Sequence, residues 1–511
     1  MAFDLEYIEL WTIKHNHVLL YKFFIKKNCI FKYKYNIICV YFVKPMNKTI
    51  SFSNYLDNVS KPNTYDQSAA LLSDVLKKNF LSLTEFKEDP MKFFKFHEIV
   101  AQKDGFEGFG IRFTVQYNLF AGTILQLGTP EQIQLLDEIQ KNGDIGCFML
   151  TENDAGVLSG FKINTTCYKH KKDDCYIINT NKINIDMFEN KNRKTWISQG
   201  LTAKYGLIIA KSNNKNTSDN IGVFLVDLSS DGIYRKDIGN KTGINSLDNA
   251  EFVFDNLKVQ KDNLIGNRFW NFNLISQRLL SGRLCIAFAS LVYFKNRLNG
   301  VMPILNNVTV WVSGEEKIPM KDLYHINYFL NDANNKLEKY THFIEYVKIK
   351  YCKCILENKI PNDELIELIL IAKVICTNFA LDYTLQLKKI IGSRALLEKN
   401  GFGQNLDILY CCLFAEGDNK ILQQKITRDQ IKLTMNNKYK IIMLVNYVIS
   451  KLYNDYYYKS HKVLIDLIWQ MKDTKKEDYG KKWNENIDKV NLFAKYWSKY
   501  KIDTIYLQSN L

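Results

Sequence analysis

The apolar period of this chain changes twice, and that double change restricts the fold more than any single residue does. From Tyr65 to about Gln140 apolar residues recur at three- and four-residue spacing, as in Ala69-Ala70-Leu71-Leu72 followed by Val75-Leu76, and again over 131–139. Thr129-Pro130-Glu131 opens that second helix: Thr caps, Pro suits the first turn and Glu complements the dipole. Between the two, residues 112–120 are too apolar for a surface loop and are expected to line the interior. At Gly146 the period shortens, and runs rich in Val, Ile, Phe and Tyr alternate with Asn, Asp and Gly clusters. This predicts strands over 147–150, 175–180, 195–198, 207–210, 223–228 and 251–254. From Phe272 the helical period returns, through 286–297, 324–346, 363–389 and 429–458. The reading is an α+β fold, with an N-terminal helical domain (46–145), a compact central β domain (146–268), a helical bundle (269–435) and a C-terminal helical region (436–511).

Length agrees, since 511 residues at about 150 per domain give roughly three domains. The formal charge of +15 comes almost wholly from Lys dispersed among acids, so it describes a solvated surface and not a nucleic-acid stripe. Eleven cysteines, an odd number without paired CxxC knuckles, support neither zinc nor a disulfide framework; free thiols are expected. Residues 1–45 are read as an extension outside the fold, with Met46 a second possible start. Their apolar runs, 18–24 and 37–43, fall short of the ~20 residues of a spanning helix, and they contain no Arg and no single-core cleavage pattern. No membrane span is expected.

Two strand ends and one helix junction carry the chemistry. Leu150-Thr151-Glu152-Asn153-Asp154-Ala155-Gly156 and Lys194-Thr195-Trp196-Ile197-Ser198-Gln199-Gly200 each end a strand in hydroxyl residues with glycine close by. Such ends offer hydroxyls and backbone N–H groups to a planar, polar-edged ligand, and Trp offers a face to an aromatic ring. In the helical block, Glu416 ends an apolar run just before Gly417-Asp418-Asn419. A carboxylate held there is partly desolvated, which raises its pKa toward that of a base working near neutrality. A glutamate that merely precedes a helix whose dipole it favours has the same local pattern.

Thr151-Glu152, Trp196-Ile197-Ser198 and Glu416-Gly417-Asp418-Asn419, in this order and at these separations, resemble the acyl-CoA dehydrogenase and acyl-CoA oxidase superfamily. Asp89-Pro90 with Lys92-Phe93-Phe94 and His97-Glu98, the run from Val115 to Ile124, and Leu247-Asp248-Asn249-Ala250 through Asn263-Leu264-Ile265-Gly266 extend the likeness, which covers about Leu81 to Lys425. The oxidase branch is the nearer relative. The resemblance implies an acyl-CoA dehydrogenase-like fold with a β-barrel-like central domain, FAD as cofactor, an acyl-CoA substrate and a homodimer. It implies that Glu416 takes the α-proton of the thioester while the β-hydrogen leaves as hydride to the flavin, giving a trans-2-enoyl-CoA in fatty acid β-oxidation. The flavin would be bound by Thr151 at its pyrimidine edge, Trp196 over one face, Ser198 near N5, and Gly200, Lys389, Gly392 and Asp418. The substrate would be bound by Gly417 and by Arg278 near the CoA nucleotide; an Arg278 paired only with a neighbouring helix is the other reading.

Departures from the family pattern have consequences. Lys389 and then Gly392-Ser393-Arg394 stand where a Gln and Gly-Gly are usual, leaving Lys389 to hold a flavin phosphate by charge and putting any adenine-side role of Arg297 in doubt. Ser198 replaces the glycine usual in oxidases, which argues for dehydrogenase chemistry, whereas the Glu416 segment argues for oxidase ancestry. The electron acceptor, molecular oxygen or an electron-transfer flavoprotein, therefore stays open. Only residues 421–511 follow Lys420, implying a shortened C-terminal region. The ending Ser509-Asn510-Leu511 resembles a peroxisomal address without its basic middle residue, so the expected location is peroxisomal in a eukaryote and cytoplasmic otherwise. A relative that kept the fold for assembly or regulation, without flavin, is the rival reading.

Overall fold

The computed structural model describes residues 46–153, 163–180, 193–212, 220–314, 316–435, 455–471 and 474–509. Expectations for residues 1–45, for Asp154-Ala155-Gly156, for most of 429–458 and for Asn510-Leu511 lie outside them. The chain divides into two units, Met1–Ser51 and Phe52–Leu511. The described part of the first, residues 46–51, is helical and begins α1 (Met46–Asn58).

In the second unit, α2 (Tyr65–Lys77) starts at a Thr64 capping box completed by Gln67. Next come α3 (Pro90–Gln102) and α4 (Glu107–Thr114). The chain then widens into a π-helical turn, Val115–Ala121, before α5 (Gly122–Leu127). As expected, this stretch lines the interior, but the wide turn is new, and such turns gather at functional sites. It lets Gln116 accept from Gly146 N–H at 2.8 Å and Asn118 donate to the Arg278 carbonyl at 3.0 Å, so one turn ties down both the first strand and the bundle's entry. α6 (Pro130–Asn142) has the expected Thr129 cap and ends at left-handed Gly143. Gln132 on α6 donates to Asp262 and Leu264 carbonyls at 2.7 and 3.0 Å, fastening the far end of the β domain.

The sheet strands are β1 (Gly146–Met149), β2 (Thr166–Lys169), β3 (Cys175–Asn179), β4 (Lys194–Ser198), β5 (Tyr205–Ser212), β6 (Ile221–Asp227), β7 (Ile233–Asp237), β8 (Asn249–Phe254) and β9 (Leu257–Gln260). β5 and β6 are apolar and buried over all but their ends. β1 and then β2 pair in parallel along one edge of β5, β6 covers the other edge, and β3 and β9 extend the sheet from β2. β4, β8 and β7 form a second sheet, with β4 bulged against β8 between Lys194 and Ile197. A buried ion pair joins the helical and β layers: Arg112 on α4 donates to Asp248 and, at 2.9 Å, to Thr202 Oγ1.

The bundle opens with α7 (Arg278–Asn307), followed by the hairpin β10 (Thr309–Ser313) and β11 (Glu316–Pro319), then α8 (Tyr324–Leu356) and α9 (Asp363–Ile391). α9 is apolar nearly all round, so it runs through the centre, with Phe379 edge-on to Phe294 of α7 at 5.1 Å. α10 (Phe402–Phe414), α11 (Asn419–Met435), α12 (Asp455–Met471) and α13 (Ile487–Ser509) are the remaining long helices among the described residues. Helices, a curled sheet and helices again are the expected α+β architecture.

Candidate active site

Glu416 lies in the short turn between α10 and α11, with φ of 57° followed by Gly417 at 106°. A non-glycine residue in left-handed backbone is uncommon and persists only where its surroundings fix it. Here two buried cations do so. Arg283 on α7 donates Nε–H to the Glu416 carbonyl at 2.9 Å. Lys373 on α9 donates to the carbonyls of Leu413 and Gly417, both at 2.7 Å, and to Asn419 Oδ1 at 2.8 Å.

Both cations bond to carbonyl and amide oxygens and leave the carboxylate alone. Glu416 Oε2 is closed off from solvent and has no hydrogen-bond partner among the described residues. The side chain lies over Gly282 on α7, where an added Cβ would stand 2.3 Å from Oε1. Only glycine leaves that space. Burial pushes Glu416 up to about 7, outweighing the opposing pull of Arg283 and Lys373. The same burial draws Arg283 down to about 10 and Lys373 to about 7. An unpaired carboxyl titrating near neutrality is equipped to take up and return a proton.

Asp418 caps α11, its Oδ1 accepting Lys420 N–H at 2.8 Å, so its visible bond is to the helix. Arg278 also turns inward. Its guanidinium lies over the Phe86 ring at 5.2 Å, and its Nε donates to Gln126 at 2.6 Å. Arg297 donates to the Asn400 carbonyl at 3.0 Å and pairs with Asp104.

On the sheet side, Thr151 and Trp196 sit on segments joined by Thr195 N–H donating to the Thr151 carbonyl at 3.1 Å. Below them lies the buried pair Lys194–Glu152 at 2.7 Å, whose carboxylate also accepts Thr165 N–H at 3.1 Å and its hydroxyl at 2.7 Å. With that base fixed, the β4 bulge turns Trp196 outward at φ 56° and 57% exposed, beside exposed Thr151. Half-buried Ser198 accepts from Asn249 Nδ2 at 3.4 Å, and Asn249 Oδ1 accepts from Lys241 at 2.9 Å. Lys241 in turn lies within electrostatic reach of Cys411 on α10, the helix that ends just before the Glu416 turn. Gly200 has a packing task, because a Cβ there would stand 2.7 Å from both Ala250 and Phe252.

Lys389 and Gly392 line an open depression of about 390 Å³ at the end of α9 with Leu385, Lys388, Ser393 and Leu396. It gathers none of the strand-end residues and not Glu416. At the β2–β3 turn, His170, Asp173 and Cys175 bring ligand atoms within 4.8 Å of one another, although His170 Nδ1 already accepts Asp173 N–H at 3.3 Å. Sequence reading missed Gly282, Arg283 and Lys373. A glycine-arginine pair inside a long helical period was the available signal for the first two; a lysine on an otherwise apolar helix face was the signal for the third.

The described residues thus combine helices, a curled sheet and a helical bundle with an exposed aromatic strand end and a bundle carboxylate whose Oε2 has no partner among them. Residues 147–257 match the family described as acyl-CoA dehydrogenase, middle domain. The short-chain specific acyl-CoA dehydrogenase of Mus musculus mitochondria is 26% identical over 230 residues, 45% of this chain and 51% of that protein. Peroxisomal acyl-coenzyme A oxidase 2 of Arabidopsis thaliana is 28% identical over 242 residues, 41% of this chain and 33% of that protein. The structure of acyl-CoA oxidase 3 from Yarrowia lipolytica superposes with a TM-score of 0.73 at 18% identity, over 90% of this chain and 74% of that one. The chain spans about half the length of the mouse relative and a third of the Arabidopsis one. The chain is similar to acyl-CoA dehydrogenases and acyl-CoA oxidases alike, and its residues 147–257 carry the match to the family's middle domain. Among the described residues no helix is long and apolar enough to cross a membrane.

Proposed function

We propose that the chain is a flavin-dependent acyl-CoA oxidoreductase that introduces the trans-2 double bond into acyl-CoA in fatty acid β-oxidation, with Glu416 as base. One observation carries the reading: Glu416 is half-buried with its Oε2 closed off from solvent and without a partner among the described residues, is raised to about 7, and is seated over a glycine. As carboxylate, Glu416 accepts the α-proton of the thioester, and its backbone, fixed by Arg283 and Lys373, needs no rearrangement to do so. The strand end fits a planar ring, since Trp196 presents an exposed indole in fixed left-handed backbone beside exposed Thr151 and half-buried Ser198. These three would hold FAD, and Lys389 and Gly392 a phosphate. FAD, when bound there, supplies the acceptor for the β-hydride. Gly417 belongs to the substrate side of the Glu416 turn. Oxygen or an electron-transfer flavoprotein then reoxidises the enzyme, and a homodimer goes with this reading, as does a peroxisomal location, the compartment named for the Arabidopsis relative.

The test is Glu416→Gln in the flavin-loaded protein, with butanoyl-CoA and hexadecanoyl-CoA in D₂O. The wild type exchanges its α-proton and bleaches flavin with at least one of them. The variant, near-isosteric but without a base, binds flavin and does neither; exchange at the wild-type rate overturns the assignment.

A further inference from the structure

Lys373 sits at the centre of α9, fully buried among apolar neighbours, a position a lysine occupies only when its charge is compensated. Its nitrogen meets three partners, the carbonyls of Leu413 and Gly417 and the Asn419 side-chain oxygen. The partner atoms are all acceptors. Asn419 is oriented so, because its amide nitrogen donates to Thr377 Oγ1 at 2.8 Å and Asn378 Oδ1 at 3.2 Å, leaving its oxygen toward the lysine. An ammonium has three N–H groups and satisfies all of them; a neutral amine has two and would aim a lone pair at a carbonyl. The three acceptors belong to the last turn of α10, the residue after Glu416 and the first residue of α11, so they bracket the left-handed turn on both sides.

We propose that protonated Lys373 is the positioning residue that holds the Glu416 turn in its working shape, and that loss of its proton releases the turn and switches proton transfer off. The inference rests on Glu416 being the base. Groups facing the pair are Arg283 and Cys285 on α7, Cys411 and Cys412 on α10, and Asp418 in the turn, with Lys241 near Cys411. Burial draws Lys373 down to about 7, whereas Arg283 titrates at about 10 and Cys411 at about 11. The first cation lost on raising the pH is therefore Lys373. Glu416 has to be ionised and Lys373 protonated, so exchange rises with pH through the first group and falls through the second.

The experiment is the pH profile of α-proton exchange in D₂O by the flavin-loaded enzyme, using the acyl-CoA that the wild type exchanges, for wild type, Lys373→Arg and Lys373→Met. The wild type is expected to give a bell. K373R, whose guanidinium stays charged, keeps the rising limb and loses the falling one. K373M falls by about 10²-fold at the optimum, as a misplacement of about 1 Å would cause. Its rising limb moves to higher pH, because a cation that favoured ionised Glu416 is gone. Thermal midpoint and flavin absorbance report folding, and where K373M does not fold, K373R alone decides. A K373R profile with the wild-type falling limb, or a folded K373M with the wild-type profile, overturns the proposal. Exchange surviving in E416Q overturns the base assignment instead, so the two failures are distinguishable.

Discussion

Substituting Gly282 by alanine separates the chemistry of Glu416 from the stability of the helix beneath it. A Cβ at Gly282 would stand 2.3 Å from Oε1, 2.5 Å from Cδ and 3.0 Å from Cγ of Glu416. Restoring ordinary contact of about 3.5 Å moves the carboxylate by about 1 Å, and a displacement of that size lowers a proton-transfer rate by about 10²-fold. At 1.36 kcal/mol per tenfold, this is about 2.7 kcal/mol of barrier. Stability moves little. Alanine gains about 0.5–1 kcal/mol over glycine inside a helix, and the off-rotamer glutamate costs about 0.5–1.5 kcal/mol. The two nearly cancel. Gly300, on the same helix, has nothing within 4 Å of its would-be Cβ, so Gly300→Ala keeps the propensity gain and touches no carboxylate. The assay is α-proton exchange beside urea unfolding for both variants. G282A is expected to lose about two orders of magnitude in exchange at near-wild-type stability, and G300A to gain stability with unchanged exchange. Exchange by G282A within threefold of wild type, with flavin bound, refutes the reasoning.

Further outcomes follow from other contacts. Folded Glu416 binds its proton at about 7 against an unfolded value near 4.5. Stability is therefore full below about pH 4.5 and is lost as pH rises through 7, and E416Q should be more stable than wild type by ~3 kcal/mol at pH 8 and equal to it at pH 4, read from thermal midpoints. Arg112→Met leaves buried Asp248 unpaired and should cost about 3–5 kcal/mol in urea unfolding; a loss below 1 kcal/mol would show that the pair is dispensable. Trp196→Ala removes an exposed indole, so stability should stay within about 0.5 kcal/mol while flavin binds about 2- to 10-fold more weakly by fluorescence titration. Unchanged flavin affinity would remove Trp196 from the cofactor site.

The layer order was legible because burial imposes one period on helices and another on strands, and Val, Ile and Leu report it directly in β5, β6 and α9. Strands that escaped the reading lack that signal. β7, Ile-Tyr-Arg-Lys-Asp, is mostly exposed, and β2 is four residues with a single buried one. The π-helical turn was read only as a buried run, since its extra residue per turn leaves no compositional mark. Trp196 is read from sequence as a ring platform at a strand end, which requires it to be exposed. The bulge between Lys194 and Ile197 decided for exposure, and no local pattern announces a bulge.

Glu416 was legible from its place after an apolar run, but what makes it usable was not. Arg283 and Lys373 lie more than 40 positions from it in sequence, and only the packing of α7 and α9 brings them close. Their manner of binding is the important part. A bidentate Arg283–Glu416 ion pair would hold the carboxylate ionised and weaken it as a base. Here Arg283 Nε is committed to the Glu416 carbonyl and Lys373 to three neighbouring oxygens, so both cations fix the backbone and act on the carboxylate only through space. The left-handed φ completes the separation by directing main chain toward the cations and side chain over Gly282. A glutamate in ordinary helical backbone at this junction would have to surrender one or the other, either the fixed turn or the unpaired acid.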